Sequence, residues 1–198
     1  MDRRLCSRLG VAAAAALLAG LAPATAVLAG PLVVARHGAA YAITFESVVD
    51  AAPRQVYAVL SDYARLGELS PAIVSVRVMP APGGRGVRVR SVLKSCVWVF
   101  CRSVVEVQDV VEPDGRTIVG RIVPGQGDFA RGWAVWRVAA LGGRTRVRYE
   151  ASFVPAFWVP PLIGPWALER SLRADFDSSM PALERLANAK AGDARRGG

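Results

Sequence analysis

The pattern of apolar and polar residues changes character twice along the chain. Apolar and polar residues alternate over residues 41–50, which predicts a strand because successive side chains of a strand point to opposite faces. The next segment, AAPRQVYAVLSDYARLGEL, carries Pro53 where a helix would begin, and its apolar residues then recur at helical spacing. Gly67 and Pro71 interrupt that spacing, so we predict one or two short helices.

A long β-rich region follows over residues 73–155. Its six candidate strands are IVSVRVM, GVRVRSVLKSC, CRSVVEVQDVVE, TIVGRIVP, GWAVWRVAAL and TRVRYEASFVP. The breaks between them include PAPGGRG, EPDGR and GGR, whose glycine and proline residues favour tight turns. We therefore predict antiparallel strands joined by short connections.

The second change is a switch to helical periodicity over residues 168–186, which predicts a long amphipathic helix. Pro181 should kink this helix or divide it at Ser178 and Ser179. The order of elements predicts an α+β fold, in which a twisted seven-stranded antiparallel sheet packs its apolar concave face against this helix. One helix cannot fill a wide curved sheet, so we expect a cavity between them.

The N-terminal residues have the features of a secretory signal. Three arginines within the first eight residues precede an apolar stretch at 9–22, and Ala24-Thr25-Ala26 offers a small-x-small cleavage pattern. A membrane span would need about 20 apolar residues, and Pro23 interrupts this one early. We therefore expect export, to the periplasm or as a secreted protein. The predicted organisation is a cleaved signal peptide at 1–26, a lead-in segment at 27–40, a folded domain at 41–190 and a disordered tail at 191–198.

Cleavage would remove Cys6 and leave Cys96 and Cys101 in an oxidising compartment. There a disulfide is the default expectation, and two free buried thiols are the alternative. The four intervening residues suit a hairpin loop, in which the two cysteines would face each other across two antiparallel strands. The cysteines would then fix the register of both strands.

That register would place two polar side chains on the concave face of the sheet. It pairs Ser91 with Glu106, and it brings Gln108 to the same face. Glu106 and Gln108 could then bind a polar ligand group or move a proton in the cavity. A bulge would instead turn them to solvent, because a slip of one residue reverses every side chain. The same register pairs Arg88 with Asp109 on the other face, as an exposed ion pair.

The net charge of the chain limits the classes of partner that the protein could bind. The formal net charge is +9, and all basic residues except Lys94 and Lys190 are arginine. This balance favours anionic partners such as lipid headgroups, with a solvated basic surface as the alternative. We expect no nucleic-acid partner, because an exported protein seldom meets one and no arginine run is interleaved with stacking aromatic residues.

Residues suited to catalysis are few in this sequence. The only histidine, His37, precedes the first predicted strand, and we find no metal-binding cluster, nucleophile elbow or phosphate loop. We therefore predict no catalytic residue, no metal and no cofactor. We also expect a monomer.

Two segments are unusually apolar for loops. One is the tip between the cysteines, and the other is VPAFWVPPLIGPWALER, which carries four prolines. Exposed aromatic residues beside arginines could contact a membrane surface, whereas the alternatives are lids packed on the domain or a contact with a protein partner. The residues predicted to form these membrane or lid loops are Trp98, Phe100, Phe157, Trp158, Leu162, Ile163 and Trp166.

Four stretches together resemble the START-like superfamily, also called SRPBCC or the polyketide cyclase and lipid-transport group. They are AAPRQVYAVLSDYARLGELSP, GDFARGWAVWRV, TRVRYEASFVP and the PPLIGP lead into the last helix. The resemblance covers residues 41–189, and it implies a helix-grip fold with a hydrophobic tunnel beneath the C-terminal helix. It also implies binding of lipids, sterols, quinones, polyketides or hormones, with cyclisation or dehydration in some members.

From this resemblance we expect non-catalytic binding, and possible transfer, of a lipid or isoprenoid. A cyclase-like or dehydratase-like enzyme using tunnel carboxylates is one alternative, and a secreted protein-interaction module is another. Ordinary core packing is the alternative role for the aromatic and methionine side chains. The expected cavity residues are Ser91, Leu93, Glu106, Gln108, Trp136, Tyr149, Phe153, Phe176 and Met180.

Overall fold

The structure is a computed structural model that describes residues 28–29, 32–97, 100–160 and 164–196. The predicted signal peptide lies outside these residues, as do Trp98, Leu162 and Ile163. The strands are β1 (Leu28–Ala29), β2 (Val33–His37), β3 (Ala40–Val49), β4 (Ile73–Pro80), β5 (Val87–Val97), β6 (Phe100–Val111), β7 (Thr117–Ile122), β8 (Phe129–Leu141) and β9 (Arg144–Pro155). The helices are α1 (Pro53–Leu60), a 3-10 turn (Tyr63–Arg65), α2 (Leu66–Leu69) and α3 (Gly164–Arg196).

All the strands pair antiparallel in one sheet, in the order β1-β3-β9-β8-β7-β6-β5-β4, and β2 pairs with β3 as well. The seven long strands β3 to β9 are those predicted, and the α+β helix-grip architecture is confirmed. The sheet differs from the prediction by two additional short strands, because the lead-in segment supplies β1 and β2. Gly38, with φ of 63°, lets β2 fold back onto β3, and the segment buries Leu32.

Helix α3 is continuous through Pro181, so the predicted division at Ser178 and Ser179 is wrong. Met180, Ala182 and Leu183 on both sides of the proline are buried, and this packing outweighs the lost backbone hydrogen bond. The helix runs to Arg196, so residues 191–196 are helical where a disordered tail was predicted. No helix within the described ranges is long and apolar enough to cross a membrane.

The register of the β5–β6 hairpin is the one that the cysteine positions predicted. Cys96 lies opposite Cys101, and Ser91 lies opposite Glu106. On the outer face, the Arg88 guanidinium contacts the Asp109 carboxylate at 2.7 Å between Nε and Oδ1. The hairpin therefore presents Glu106 to the concave side of the sheet, where α3 lies.

The core lies where α3 crosses β3 and α1. Phe176 of α3 stacks on Phe45 of β3, with 4.0 Å between ring centroids and 6° between ring planes. Leu183 and Val56 are fully buried in the same cluster. Beneath the other side of α3, toward β5, β6 and β7, the sheet curves away and leaves a cavity.

Candidate ligand cavity

A cavity of about 250 Å³ lies between the sheet and α3. Strands β5 to β9 form its floor, α3 covers it, and the segment from α1 to the start of β4 closes one side. The predicted cavity residues that line it are Ser91, Leu93, Glu106, Gln108, Trp136, Tyr149, Phe176 and Met180.

Phe153 does not line this cavity, which corrects the prediction. Its ring stacks on Tyr41 at 6.0 Å and meets the edge of Phe129 at 5.0 Å between centroids. Gly132 lies opposite Phe153 in the sheet, and a Cβ at Gly132 would approach the Phe153 Cβ to 2.9 Å. Phe153 therefore fills the space that Gly132 leaves, at a different part of the concave face.

The short helices and α3 contribute further cavity side chains that were not among the predicted ones. Tyr63, Leu69 and Ser70 come from the closing segment, and Asp175 comes from α3. A usable signal was present in α3, because Leu172, Asp175, Phe176 and Ser179 share one helical face by their spacing. Asp175 was not predicted to face the cavity because a charged residue on a helix usually faces solvent.

Glu106 and Gln108 form the first polar group of the cavity. Gln108 Nε2 donates a hydrogen bond to Glu106 Oε1 at 2.6 Å. Burial raises the pKa of Glu106, and the hydrogen bond from Gln108 opposes that rise. Gly120 makes room for this arrangement, because a Cβ at Gly120 would lie 1.8 Å from Gln108 Oε1. A glycine in β7 thus lets the Gln108 amide lie across the neighbouring strand.

Asp175 and Ser70 form the second polar group. Ser70 Oγ donates a hydrogen bond to Asp175 Oδ1, and it accepts one from the backbone N–H of Ala72 at 3.1 Å. Burial raises the pKa of Asp175, and the Ser70 hydrogen bond opposes the rise. This pair joins the end of α2 to α3 at the wall of the cavity.

Tyr149 links the two polar groups electrostatically. Burial raises the pKa of its hydroxyl, and the carboxyl groups of Glu106 and Asp175 raise it further. The ring packs against Trp136, with centroids 4.5 Å apart, and lies 5.7 Å from Phe176. The cavity therefore combines an aromatic wall with carboxyl and hydroxyl groups that interact electrostatically.

The strand after the hairpin tip and the segment before α3 are in contact at Arg102 and Phe157. The Arg102 guanidinium lies over the Phe157 ring, 4.0 Å from its centroid. Trp158 beside it is 78% exposed, and Trp166 at the start of α3 is 48% exposed. Phe100 begins β6 and pairs with Val97 at the hairpin tip. Arg102, near the tip of the β5–β6 hairpin, and the segment before α3 are therefore neighbours.

The described residues contain no group of three or more His, Cys, Asp or Glu side chains that could hold a metal ion. The polar side chains of the cavity are instead acids, an amide and hydroxyls. They can exchange hydrogen bonds and protons with a bound molecule.

Fold and cavity together define a START-like protein. A family model described as polyketide cyclase / dehydrase and lipid transport matches residues 42–188, and the chain belongs to this family. No curated protein sequence matches the chain.

Three solved structures illustrate the likeness. TTHA0849 from Thermus thermophilus has a TM-score of 0.59 and 20% identity, over 75% of this chain and 98% of that one. The Zhui aromatase/cyclase from a Streptomyces species has a TM-score of 0.59 and 18% identity, over 77% and 96%. A START superfamily protein from Mycobacterium smegmatis has a TM-score of 0.59 and 18% identity, over 75% and 97%. At these identities the likeness establishes the fold alone.

Proposed function

We propose that this protein is exported, binds a hydrophobic molecule non-covalently beneath α3, and carries it to or from a membrane. The observation that carries the proposal is the cavity wall, in which aromatic and aliphatic side chains surround a few polar groups. Ligand pockets have this composition, because apolar walls supply affinity and a few polar groups fix orientation.

The size of the cavity constrains its occupant. Its volume of about 250 Å³ is just below the range of about 300–1,000 Å³ found for small-molecule pockets. A lipid or isoprenoid would place one hydrophobic portion inside and leave the remainder toward the rim. Membership of a lipid-transport and polyketide cyclase family supports the same class of ligand.

Export and a Cys96–Cys101 disulfide are part of the proposal. The signal-like features of residues 1–26 support export. The cross-strand position of the two cysteines supports a disulfide, since directly opposite residues bring their Cβ atoms within bridging reach. A closure this short contributes about 2 kcal/mol in the loop-entropy description. Its larger effect would be to hold the hairpin tip in one orientation.

The first experiment is solvent extraction of the purified mature protein, followed by mass spectrometry of the extract. We expect the extract to contain a hydrophobic molecule in an amount close to equimolar with the protein. The protein should retain this molecule through gel filtration and release it on denaturation. A clean extract, together with no uptake of added lipid, would contradict ligand binding.

A second candidate function is a cyclase or dehydratase, because Glu106, Asp175 and Tyr149 face one cavity and carry raised pKa values. Carboxyl groups of this kind can act as general acids near neutral pH. Incubating the extracted molecule with fresh protein distinguishes the two functions. Recovery of an altered molecule, abolished by Glu106→Gln, would favour the enzyme, whereas unchanged ligand favours a carrier.

The proposed membrane contact involves the exposed aromatic residues in the segment that leads into α3. Trp158 is largely exposed, and Arg102 lies over the Phe157 ring. Arg170 and Arg173 follow in α3, where Arg173 also pairs with Glu169. Tryptophan favours the interface between headgroups and acyl chains, and arginine attracts anionic lipid. The geometry therefore supports reversible docking of this end of the molecule.

Co-sedimentation with phosphatidylglycerol vesicles tests the docking. Trp158→Ala should weaken binding by about tenfold to a hundredfold, because burying one large aromatic side chain contributes about 1.5–3 kcal/mol. Trp133→Ala is the matched control, since Trp133 is 42% exposed on the outer face of β8. Equal losses in both variants, or equal binding to neutral phosphatidylcholine vesicles, would contradict docking through this end.

A further inference from the structure

Among the residues that the structure describes, the charged side chains that face the cavity are of one sign only. Among the lining residues that the structure describes, Glu106 and Asp175 are acidic and none is Arg, Lys or His. The internal residues outside the description, at positions 30, 31, 98, 99 and 161–163, are Gly, Pro, Trp, Val, Leu and Ile. None of these residues is Arg, Lys or His.

An anionic ligand group would therefore enter the cavity without a counter-charge. A buried charge that is not paired is strongly disfavoured, because it loses its hydration and meets no opposite charge. Ionisation of Glu106 or Asp175 beside the anion would raise the cost further, since like charges in one site disfavour each other. The cavity thus discriminates against carboxylates and phosphates.

The cavity also contains polar atoms that have no hydrogen-bond partner among the described residues. Gln108 engages Glu106 Oε1, whereas within the described ranges Glu106 Oε2 and the Tyr149 hydroxyl have no hydrogen-bond partner. Burial favours the uncharged form of both groups. In that form, Glu106 and Tyr149 are O–H donors, and each can donate to an oxygen of the ligand.

We infer that the cavity selects hydrophobic molecules whose polar group is an uncharged oxygen, a hydroxyl or a carbonyl, and rejects those that carry a carboxylate or a phosphate. This inference rests on the proposed function and adds the chemical class of the ligand. A cationic amine fits less well, because it would require an ionised Glu106 or Asp175 in a wall where burial opposes ionisation.

Four ten-carbon probes test the inference by calorimetry on the delipidated mature protein at pH 7.5. They are 1-decanol, 2-decanone, decanoate and decylamine, which share one chain length and differ in the polar group. We expect 1-decanol and 2-decanone to bind at least tenfold more tightly than decanoate. A tenfold difference is within the free-energy cost of leaving one buried polar group unpaired. Equal binding of decanoate, or tightest binding of decylamine, would overturn the inference while leaving hydrophobic binding intact. Binding of none of the four would overturn the proposed function as well.

Variants at Glu106 separate recognition from a purely structural role. Glu106→Gln keeps an uncharged donor and should hold 1-decanol within about threefold of wild type, whereas Glu106→Leu should lose about tenfold. Glu46→Gln and Glu46→Leu, on the outer face of β3, make the same changes away from the cavity and should not alter binding. Equal affinities of the Gln and Leu variants at position 106 would refute a recognition role for Glu106.

Discussion

Replacing Phe176 by alanine is expected to lower the free energy of unfolding by about 3–5 kcal/mol, the usual cost of deleting a buried phenyl ring. Phe176 is 6% exposed, stacks on Phe45 with centroids 4.0 Å apart, and lies 6.3 Å from Trp136. It is the ring through which α3 meets both the core and the cavity. Urea denaturation followed by tryptophan fluorescence measures the change.

Leu172→Ala is the control for this prediction. Leu172 lies about one turn earlier on the same cavity-facing side of α3 and is only half-buried, so its truncation should cost clearly less. An equal cost for both variants would show that the stack of Phe176 on Phe45 contributes nothing specific. A hydrophobic probe that fills the enlarged cavity should restore part of the lost stability in Phe176→Ala, because ligand binding to the folded state stabilises it.

Glu106→Gln is expected to stabilise the protein at pH 7–8 but not at pH 4. Burial raises the folded-state pKa of Glu106 above its unfolded value, which is about 4.3. The folded state then holds the proton more tightly than the unfolded chain. The resulting stability is fully present below the unfolded pKa and is lost as pH rises through the folded-state pKa. Glutamine does not titrate, so its advantage over glutamate should grow across that window by about 1.4 kcal/mol for each pKa unit.

Thermal unfolding of wild type and Glu106→Gln from pH 4 to pH 8 measures this difference. Asp175 and Tyr149 face the same cavity, and they remain in both proteins, so their contributions largely cancel. Glu46→Gln makes the same chemical change on the exposed face of β3 and should not reproduce the pH-dependent gain. A difference between Glu106→Gln and wild type that stays constant with pH would contradict a buried, proton-holding Glu106.

The concave position of Glu106 could be predicted because two cysteines pinned the register of the hairpin. The alternation of side chains assigns residues to faces but does not by itself say which residues pair. Here Cys96 and Cys101 provided one fixed pair, and the alternation then assigned every other residue of the hairpin. The short helices and the long strands could also be predicted from the periodicity of their apolar residues. The features that were not predicted depend on contacts between residues far apart in sequence.

Asp175 shows why part of the site stayed hidden. A charged residue within an apolar helical stripe is usually a solvated position, and the partner that explains it, Ser70, is far away in sequence. The division predicted at Pro181 was wrong for a related reason, since burial of its neighbours keeps α3 continuous despite a local preference against it. The strands β1 and β2 are too short to show a period, so only their pairing with β3 defines them.

Gly120 has a consequence for how this cavity could change over evolutionary time. The Gln108 amide oxygen occupies the volume where any side chain at position 120 would begin, so a single codon change to alanine would displace the amide from its place beside Glu106. The strand itself would remain paired, because the backbone pattern of β7 does not require glycine there. One methyl group on β7 would therefore change the polar groups that the cavity presents, while the paired strands around it stay as they are.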